Sequence, residues 1–325
     1  MSQINAEIEL FLNQLTQKTE KEDIKKFYQA TVKALLTRLK PTTAKSYISK
    51  YRKAVKLTGS ELHTSRDVLP YLLLPTKTSK KIQRDYSRKI DRNLEDGLIC
   101  FPTNKIDYFL RKAENLLKSS KFEYLMMGLG LVTGRRNYEL LGKGKFWHIN
   151  DIDKALEETS KLFPEVPLSD KKTILDRVEK WNLQPNEFLL FSGQAKTSKN
   201  DPEKVIPQPF VIPVFVDSCT VLERFSWLRA NYPQYQNMTA EEIHKASNSR
   251  LNSQTFGVKS PQNFGHDFSK ENCNFKILRK TYAAIFWHLC KGKRKNKALI
   301  YRLILGHDEG SKGTFTSYDL ILFED

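Results

Sequence analysis

The sequence predicts a mainly α-helical fold with a small antiparallel β-sheet, in the α+β class. Apolar residues recur at helical spacing over much of the 325-residue chain, beginning in residues 2–17. Two runs of strand-forming residues, 187–191 and 210–215, flank a polar segment at 192–199, which is the pattern of a β-hairpin. The chain is long enough for two domains with separate cores. We therefore expect a helical domain followed by a second, mainly helical domain that carries the sheet.

The first predicted domain, residues 1–75, contains three helices. The third begins at Pro41 and is ended by Gly59. Basic side chains line the outer face of this third helix: Lys45, Lys50, Arg52, Lys53 and Lys56. A solvated surface is the ordinary interpretation of any single lysine. A compact helical domain with one basic face is better explained as a module that clamps DNA.

A basic linker helix is predicted for residues 76–95. Its apolar residues recur four apart, and basic residues surround them. Basic side chains along a linker can follow a phosphate backbone, so Arg84 and Arg88 are candidate DNA contacts. The second domain then spans residues 96–325.

Early in the second domain, a helix from Thr103 is followed by residues 124–133, which are apolar on every side and predict a buried helix. Arg136 follows this segment, and Glu139 comes three residues later. A buried arginine needs an acidic partner or an anionic ligand. In isolation, a structural Arg–Glu pair is the better interpretation.

The remaining elements are predicted from shorter patterns: a strand at 146–150, a charged helical insertion of unassigned role at 152–182, helices at 216–230 and 239–251, a loop at 252–274 and an apolar helix at 281–290. A basic turn at 291–297 follows. We interpret its Lys293 and Arg294, together with Lys280, as phosphate contacts rather than as a nuclear-localisation signal.

The net charge of +17 requires a polyanionic partner, either nucleic acid or a membrane surface. The chain has no apolar run of 18 residues and begins with no signal-peptide or lipidation motif, so a cytoplasmic protein bound to DNA is expected. The 4 cysteines form no Cys-x-x-Cys pair, and the histidines lack metal-ligand spacing. We expect reduced thiols and neither a metal nor a cofactor.

Arg279, His307 and Tyr318 supply the parts of a phosphoryl-transfer site. A guanidinium binds two phosphate oxygens at once, an imidazole donates a proton or a hydrogen bond, and a phenol is a nucleophile. These residue types are common, so the trio alone is weak support. It gains weight from Arg136 and from Lys196, which is either a solvated residue of the hairpin turn or an acid that reaches into a groove.

The combined pattern resembles the tyrosine recombinase and type IB topoisomerase superfamily. The matching segments are Thr133-Gly-Arg-Arg136-Asn-Tyr-Glu139 for the first arginine box, Lys196 for the β-hairpin lysine, Arg279 for the second arginine, Leu305-Gly-His307 for the histidine and Tyr318 for the nucleophile.

Within that superfamily the chain looks most like the telomere resolvases, or protelomerases, of bacteria and phages. The segment Gly193-Gln-Ala-Lys196-Thr is similar to their hairpin, and Ser46-Tyr-Ile-Ser-Lys-Tyr-Arg52 resembles their core-binding helix. The step of eleven residues from His307 to Tyr318 also matches their spacing. The similarity covers residues 42–320 in patches.

Two features depart from the superfamily pattern. Lys276 occupies the place where integrases carry a histidine, and Lys280 replaces a further histidine. The chain also ends seven residues after Tyr318, so we expect no additional C-terminal DNA-binding domain, and a tail too short to be exchanged between protomers.

The resemblance implies a helical core-binding domain and a catalytic domain that together clamp duplex DNA. It implies that Tyr318 attacks the scissile phosphate to give a 3′-phosphotyrosine, that Arg136, Arg279 and His307 stabilise the phosphorane, and that Lys196 protonates the leaving 5′-oxygen. Lys276 would supplement or replace the missing histidine. Neither ATP nor metal is required, and a homodimer would act on a palindromic site to form hairpin ends.

Three functions remain open at this level. The first is telomere resolution, and the second is a conventional integrase or resolvase that joins two duplexes. The third is a basic DNA-binding protein with a decayed active site. The filled catalytic positions disfavour the third, whereas only the hairpin segment and the His307–Tyr318 spacing separate the first two.

Overall fold

In the part of the chain that the structure describes, helices predominate and short strands form two small sheets. The computed structural model describes residues 3–95, 99–194, 206–255, 275–289, 296–306 and 321–324. The chain divides into two compact units, Met1–Arg92 and Asn93–Asp325. The mainly α class with a small antiparallel sheet is confirmed, and the domain boundaries at residues 75 and 95 stay predictions.

The N-terminal unit is a helical bundle. Its helices are α1 (Gln3–Thr16), α2 (Lys21–Arg38), α3 (Pro41–Leu57), the short α4 (Glu61–Thr64) and α5 (Thr76–Glu95). Aromatic rings fill its centre, where Phe11 lies edge-on to Tyr51 at 4.6 Å and stacks on Phe27 at 5.2 Å. Aromatic pairs of this kind add about 0.5–1.5 kcal/mol to the hydrophobic gain of burial.

One residue of the predicted basic face on α3 is placed differently. Lys45, Lys50 and Lys53 are exposed, but Arg52 is half-buried. Its guanidinium donates to the carbonyl oxygens of Leu69 and Leu72, at 2.6 and 3.2 Å. The expectation that Arg52 lies on the exposed face is therefore wrong. Its position one residue from the buried Tyr51 brings it to the rim of the core instead.

The second unit contains the remaining elements. In chain order they are β1 (Ile99–Pro102), α6 (Lys105–Leu117), α7 (Phe122–Thr133), β2 (Lys145–Trp147), α8 (Ile152–Leu162), α9 (Lys171–Trp181), β3 (Phe188–Ser192), β4 (Phe210–Pro213), α10 (Ser218–Asn231), α11 (Ala240–Thr255), α12 (Lys276–Leu289), α13 (Lys297–Leu305) and β5 (Ile321–Glu324).

The predicted hairpin is confirmed as the antiparallel pair β3–β4, and β2 adds a third strand on the other side of β3. Successive side chains of a strand point to opposite faces. Leu189 and Phe191 accordingly belong to the same core as α7, while Phe188 and Leu190 pack in the core shared by α8, α9, α12 and α13. The predicted strand at 146–150 is shorter than expected, since residues 149–151 form a 3₁₀ turn.

A second sheet was not predicted. β5 pairs in parallel with β1, and Ile99 lies opposite Ile321. Part of the segment interpreted as a short tail is therefore a strand of this unit. Each strand has four residues, and their partners are more than 200 positions apart in sequence. A local pattern cannot indicate such a pairing.

Helix α7 is the centre of the larger core. All its residues except Tyr124 are buried, as its apolar composition predicts, and α6, α10, α11 and α12 pack against it. Its end is set by Gly134, whose φ of +64° is the left-handed conformation that glycine adopts readily. A side-chain carbon at Gly134 would lie 2.2 Å from Cδ1 of Tyr282, so close packing also requires glycine here.

Among the helices of the described segments, none is long and apolar enough to cross a membrane.

Candidate active site

Arg136 lies where α7 ends and is held by Glu139. Its Nη1 lies 2.6 Å from Oε1 of Glu139, and its backbone N–H donates to Oε2 at 3.0 Å. Glu139 is fully buried and begins a π-helical turn, Glu139–Lys143. Such turns are rare and occur often at functional sites. The predicted Arg136–Glu139 pair is therefore present, and it fixes the orientation of the guanidinium.

Arg279 reaches the same carboxylate from the first turn of α12. Its Nη1 lies 3.7 Å from Oε2 of Glu139 and donates to the carbonyl of Gly134, while Nη2 donates to the carbonyl of Leu305 at 2.6 Å. The two arginines predicted to bind phosphate, 143 positions apart in sequence, thus meet at one buried acid.

A third guanidinium, that of Arg135, is fully buried beside them. Its Nε lies 4.0 Å from Oε2 of Glu139 and donates to the carbonyl of Thr133 at 3.1 Å. Nη2 donates to the carbonyl of Ile304, and the guanidinium lies over the ring of Phe191 at 4.8 Å. Its Nη1 is buried and has no hydrogen-bond partner. Arg135 therefore joins the arginine cluster to the β-sheet and to α13.

The electrostatics of this cluster favour an anion. Burial alone raises the pKa of Glu139, but the charges of Arg136, Arg279 and Arg135 outweigh it and hold the pKa at about 2. Burial, and next to it the charge of Arg279, lowers the pKa of Arg135 to about 9, so the group stays charged at neutral pH. Three guanidiniums around one carboxylate leave a surplus of positive charge, which a phosphate diester would reduce.

The π-helical turn is itself held from outside. Arg229 of α10 donates to the carbonyls of Gly142, Gly144 and Glu139, the last two at 2.9 and 3.3 Å. Burial lowers the pKa of Arg229 to about 10. Because one planar guanidinium bridges two carbonyls of the turn and the carbonyl of the residue after it, Arg229 helps to fix the direction in which Glu139 points.

The C-terminal end of α13 meets the same cluster. The carbonyls of Ile304, Leu305 and Gly306 accept hydrogen bonds from Arg135, Arg279 and Gln194 respectively. The last carbonyls of a helix have no partner within the helix, and cations are favourable at this end. Three side chains therefore satisfy three consecutive carbonyls, immediately before the position of His307.

The other predicted residues divide into two groups. Lys276 and Lys280 lie three residues before and one residue after Arg279 in the first turns of α12, where Lys276 is exposed. Residues three and four apart share a helix face, so these lysines extend the positive surface beside Arg279. The predicted Lys196, His307, Tyr318, Lys293 and Arg294 lie outside the described residues.

The predicted DNA contacts of the N-terminal unit are on its surface, with the exception of Arg52. Lys45, Lys50 and Lys53 are exposed on α3. On α5, Arg84 and Arg88 are exposed one turn apart and line one shallow depression with Lys80. No cluster of histidine, cysteine or acidic residues suited to a metal occurs within the described ranges.

The catalytic-domain model of the telomere resolvase ResT/TelK family matches residues 101–319. The chain belongs to the telomere resolvase family. This match contains the whole arginine cluster as well as the positions of Lys196, His307 and Tyr318.

Solved structures of telomere resolvases have a similar fold. An arginine-to-alanine variant of protelomerase TelA, covalently complexed with substrate DNA, is 24% identical, with a TM-score of 0.75 over 98% of this chain and 88% of that chain. A second TelA variant, complexed with a DNA hairpin product, is 23% identical, with a TM-score of 0.75 and the same coverage. Protelomerase TelK with substrate DNA is 14% identical, with a TM-score of 0.51 over 98% of this chain and 58% of that one. No curated protein matches the chain.

For this telomere resolvase, sequence reasoning missed Arg135, Gln194 and Arg229. Arg135 had a signal, since only Gly134 separates it from the apolar segment 124–133, whose burial it can share. Gln194 and Arg229 had none, because their partners are backbone carbonyls of distant segments, and any residue type supplies a carbonyl.

Proposed function

We propose that this chain cleaves and rejoins DNA, converting a replicated palindromic telomere junction into two covalently closed hairpin ends. The observation that carries the proposal is the convergence of Arg136 and Arg279 on the buried Glu139, within the region matched by the telomere resolvase family. The related TelA structures with substrate DNA and with a hairpin product support the same reaction.

The arginines would act on the charge that develops at phosphorus. As a nucleophile attacks, negative charge grows on the non-bridging oxygens, and donors placed in advance stabilise it. Each such donor is worth about 3 kcal/mol of barrier. Glu139 would remain a carboxylate throughout, because its pKa lies far below neutral. It thus holds Arg136 and Arg279 in place without accepting a proton from either.

The remaining roles are proposals from the sequence. The Tyr318 oxygen attacks the scissile phosphate and gives up its proton to water, the bond from phosphorus to the 5′-oxygen breaks, and Lys196 gives that oxygen a proton. The 5′-hydroxyl of the opposite strand then attacks the phosphotyrosine and gives its proton to the neutral Lys196, and the phenolate of Tyr318 regains a proton from water as it leaves. His307 and Lys276 donate to the phosphate oxygens. One phosphodiester is exchanged and recovered, so the scheme needs no nucleotide.

The symmetry of the proposed substrate predicts how many protomers bind it. A palindromic duplex has two-fold symmetry, so two protomers would occupy equivalent halves of the site. The chain would act on a bacterial or phage replicon in the cytoplasm, with DNA bound by the basic residues of α3, α5 and α12.

The test is an incubation of the protein with an end-labelled palindromic duplex in EDTA and without nucleotide. On a denaturing gel, each hairpin runs as one heat-resistant strand of twice the length of the duplex arm that it closes, and arms of unequal length separate both hairpins from the uncut strands. We expect them with the unaltered protein and with Tyr71→Phe, which removes an exposed hydroxyl of the N-terminal unit. Tyr318→Phe should form neither hairpins nor covalent adducts, while DNA affinity changes little.

Two results would contradict the proposal in different ways. Joined products that require two separate duplexes would indicate a conventional integrase. Adducts that persist in Tyr318→Phe would place the nucleophile at another tyrosine, with Tyr301 the first to examine.

A further inference from the structure

Gln194 connects two segments that carry different groups of the proposed site. It lies just after β3, two residues before Lys196, and its side-chain amide donates to the carbonyl of Gly306, one residue before His307. The bond therefore joins the chain two residues before Lys196 and one residue before His307. Consecutive Cα atoms are about 3.8 Å apart, so both steps along the chain are short.

The backbone around Gln194 is held firmly. The side-chain oxygen of Gln208 accepts hydrogen bonds from the hydroxyl of Ser192 at 2.9 Å and from the N–H of Gly193 at 2.8 Å. Gly193 has a φ of +87°, and a side-chain carbon there would lie 2.3 Å from the carbonyl oxygen of Lys143, in the π-helical turn. The root of the hairpin loop is therefore packed against the turn that begins at Glu139.

The receiving side is equally constrained. Gly306 ends α13 with a φ of +69°, and a side-chain carbon there would meet Oε1 of Gln194 at 2.2 Å and Cζ of Phe210 at 2.7 Å. Gly306 thus fits a slot between the Gln194 amide and a ring of β4. Only a residue without a side chain allows this close approach.

We propose that Gln194 is a positioning residue, whose hydrogen bond to Gly306 couples the end of β3 to the end of α13, the two elements that precede Lys196 and His307 in the chain. The inference rests on the proposed function, since it concerns the acid and the phosphate-binding histidine of that reaction. An acid must reach the leaving oxygen while the donors hold the same phosphate, and a small misplacement lowers the rate steeply. One hydrogen bond between the two segments makes their positions depend on each other.

The main test replaces the amide without changing the side-chain volume greatly. Gln194→Met removes the donor, and Gln194→Glu places a carboxylate oxygen against the carbonyl. Gln236→Met is the matched control, because the exposed Gln236 amide also donates to a backbone carbonyl, that of Arg229 at 3.0 Å, and makes no bond to the Arg229 guanidinium that contacts the π-helical turn. Both Gln194 variants should lower the single-turnover cleavage rate by about tenfold, while the DNA Kd changes by less than about twofold.

Making Gln194→Met in a protein that already lacks Lys196 and His307 distinguishes positioning of these groups from ordinary stabilisation of the fold. Groups that act as a unit have non-additive effects. In a Lys196→Ala, His307→Ala background, Gln194→Met should therefore change the residual rate by less than about twofold. A substrate with a 5′-bridging phosphorothiolate has a leaving group that needs no acid. On this substrate, Gln194→Met as the only substitution should lower the cleavage rate by less than it does on the ordinary substrate. An equal loss in every background, or one no larger than that of Gln236→Met, would overturn the inference.

Hydrogen–deuterium exchange gives a measurement that is independent of activity. Gln194→Met should speed exchange in peptides covering both 190–196 and 300–307, with no change at α2 of the N-terminal unit. Unchanged exchange in either peptide would overturn the inference. A protein that shows this coupling but forms no cleavage product would contradict the proposed function alone.

Discussion

Glu139 takes no part in the proposed bond changes, yet two of the proposed phosphate ligands are oriented by it. Its carboxylate is buried among three guanidiniums, and the positive charges lower its pKa although burial raises it. A group whose pKa is lower in the folded than in the unfolded state stabilises the fold above its unfolded pKa. This stabilisation is lost as the pH falls towards the folded value.

Glu139→Gln keeps the shape of the side chain and removes its charge. Breaking a buried ion pair on one side costs about 3–5 kcal/mol, because the remaining charges are left uncompensated. The free energy of unfolding should therefore differ most from that of the unaltered protein above pH 4.5. The difference should shrink as the pH falls from 4.5 towards 2.

Denaturant titrations at a series of pH values measure this difference. Glu157→Gln is the control, because its pair with Lys161 is exposed, and little change is expected there. A difference for Glu139→Gln that stays constant from pH 6 to pH 3 would show that the stabilisation does not come from the carboxylate charge.

Sequence reasoning paired Arg136 with Glu139 because Glu139 comes three positions after Arg136, just beyond an apolar segment. The residues alone could not rank Arg135 against Arg136, since the two are adjacent and of one type, and only the resemblance favoured Arg136. The choice depends on the left-handed Gly134, which turns the chain so that one guanidinium enters the core while the other stays half-exposed. The placement of Arg52 likewise depends on the carbonyls of Leu69 and Leu72, which lie 17 and 20 positions further along the chain.

At the scale of elements, the buried helix α7 and the hairpin strands were predictable, because composition and alternation are local signals. At the start of α11, Thr239 and Glu242 exchange backbone and side-chain hydrogen bonds, and this capping box is a local pattern of the same kind. The β1–β5 pair was not predictable, since its stability depends on a partner from the other end of the unit. The ends of α7, β3 and α13 matter most for the site, because its residues come directly after these ends in the chain.

The end of α7 gives a prediction at this scale. Gly134→Ala places a methyl group in the left-handed region, which costs about 1–2 kcal/mol. The new carbon also overlaps the buried ring of Tyr282, and overpacking adds about 1–3 kcal/mol. Gly59→Ala is the matched control, because its φ of +70° is similar but no atom lies within 4 Å of the added carbon.

Urea unfolding of the two variants, each followed in the transition of its own unit, measures the two losses. Gly134→Ala should lose clearly more stability than Gly59→Ala. Equal losses would mean that the packing of Tyr282 adjusts without cost, and that only the backbone conformation requires glycine at the end of α7.

At the scale of the whole molecule, the net charge of +17 is unevenly distributed. Helix α5 has seven basic and three acidic residues, whereas the insertion at 152–182 has six basic and seven acidic ones. Composition alone therefore predicts a polyanionic partner, and the distribution predicts which segments contact it. The insertion instead covers one face of the β-sheet through Ile152, Ala155, Ile174 and Trp181.

This distribution predicts which substitutions change the salt dependence of DNA binding. Each phosphate neutralised by a basic side chain releases counterions, so the logarithm of the affinity falls with the logarithm of salt concentration by about 0.9 per contact. On a duplex that contains one half-site, Lys53→Ala and Arg84→Ala should each reduce that slope by about 1. Lys154→Ala, an exposed lysine of the insertion, should leave it unchanged.

Fluorescence anisotropy at salt concentrations between about 50 and 200 mM covers the range in which such slopes are steep. The comparison is sharp because all three substitutions remove one exposed positive charge and differ only in where it lies. If the three slopes fall equally, the protein attracts DNA through its total charge and not through the basic faces of α3 and α5. If only the first two fall, these faces contact phosphates, and the insertion is left to support the sheet behind the arginine cluster.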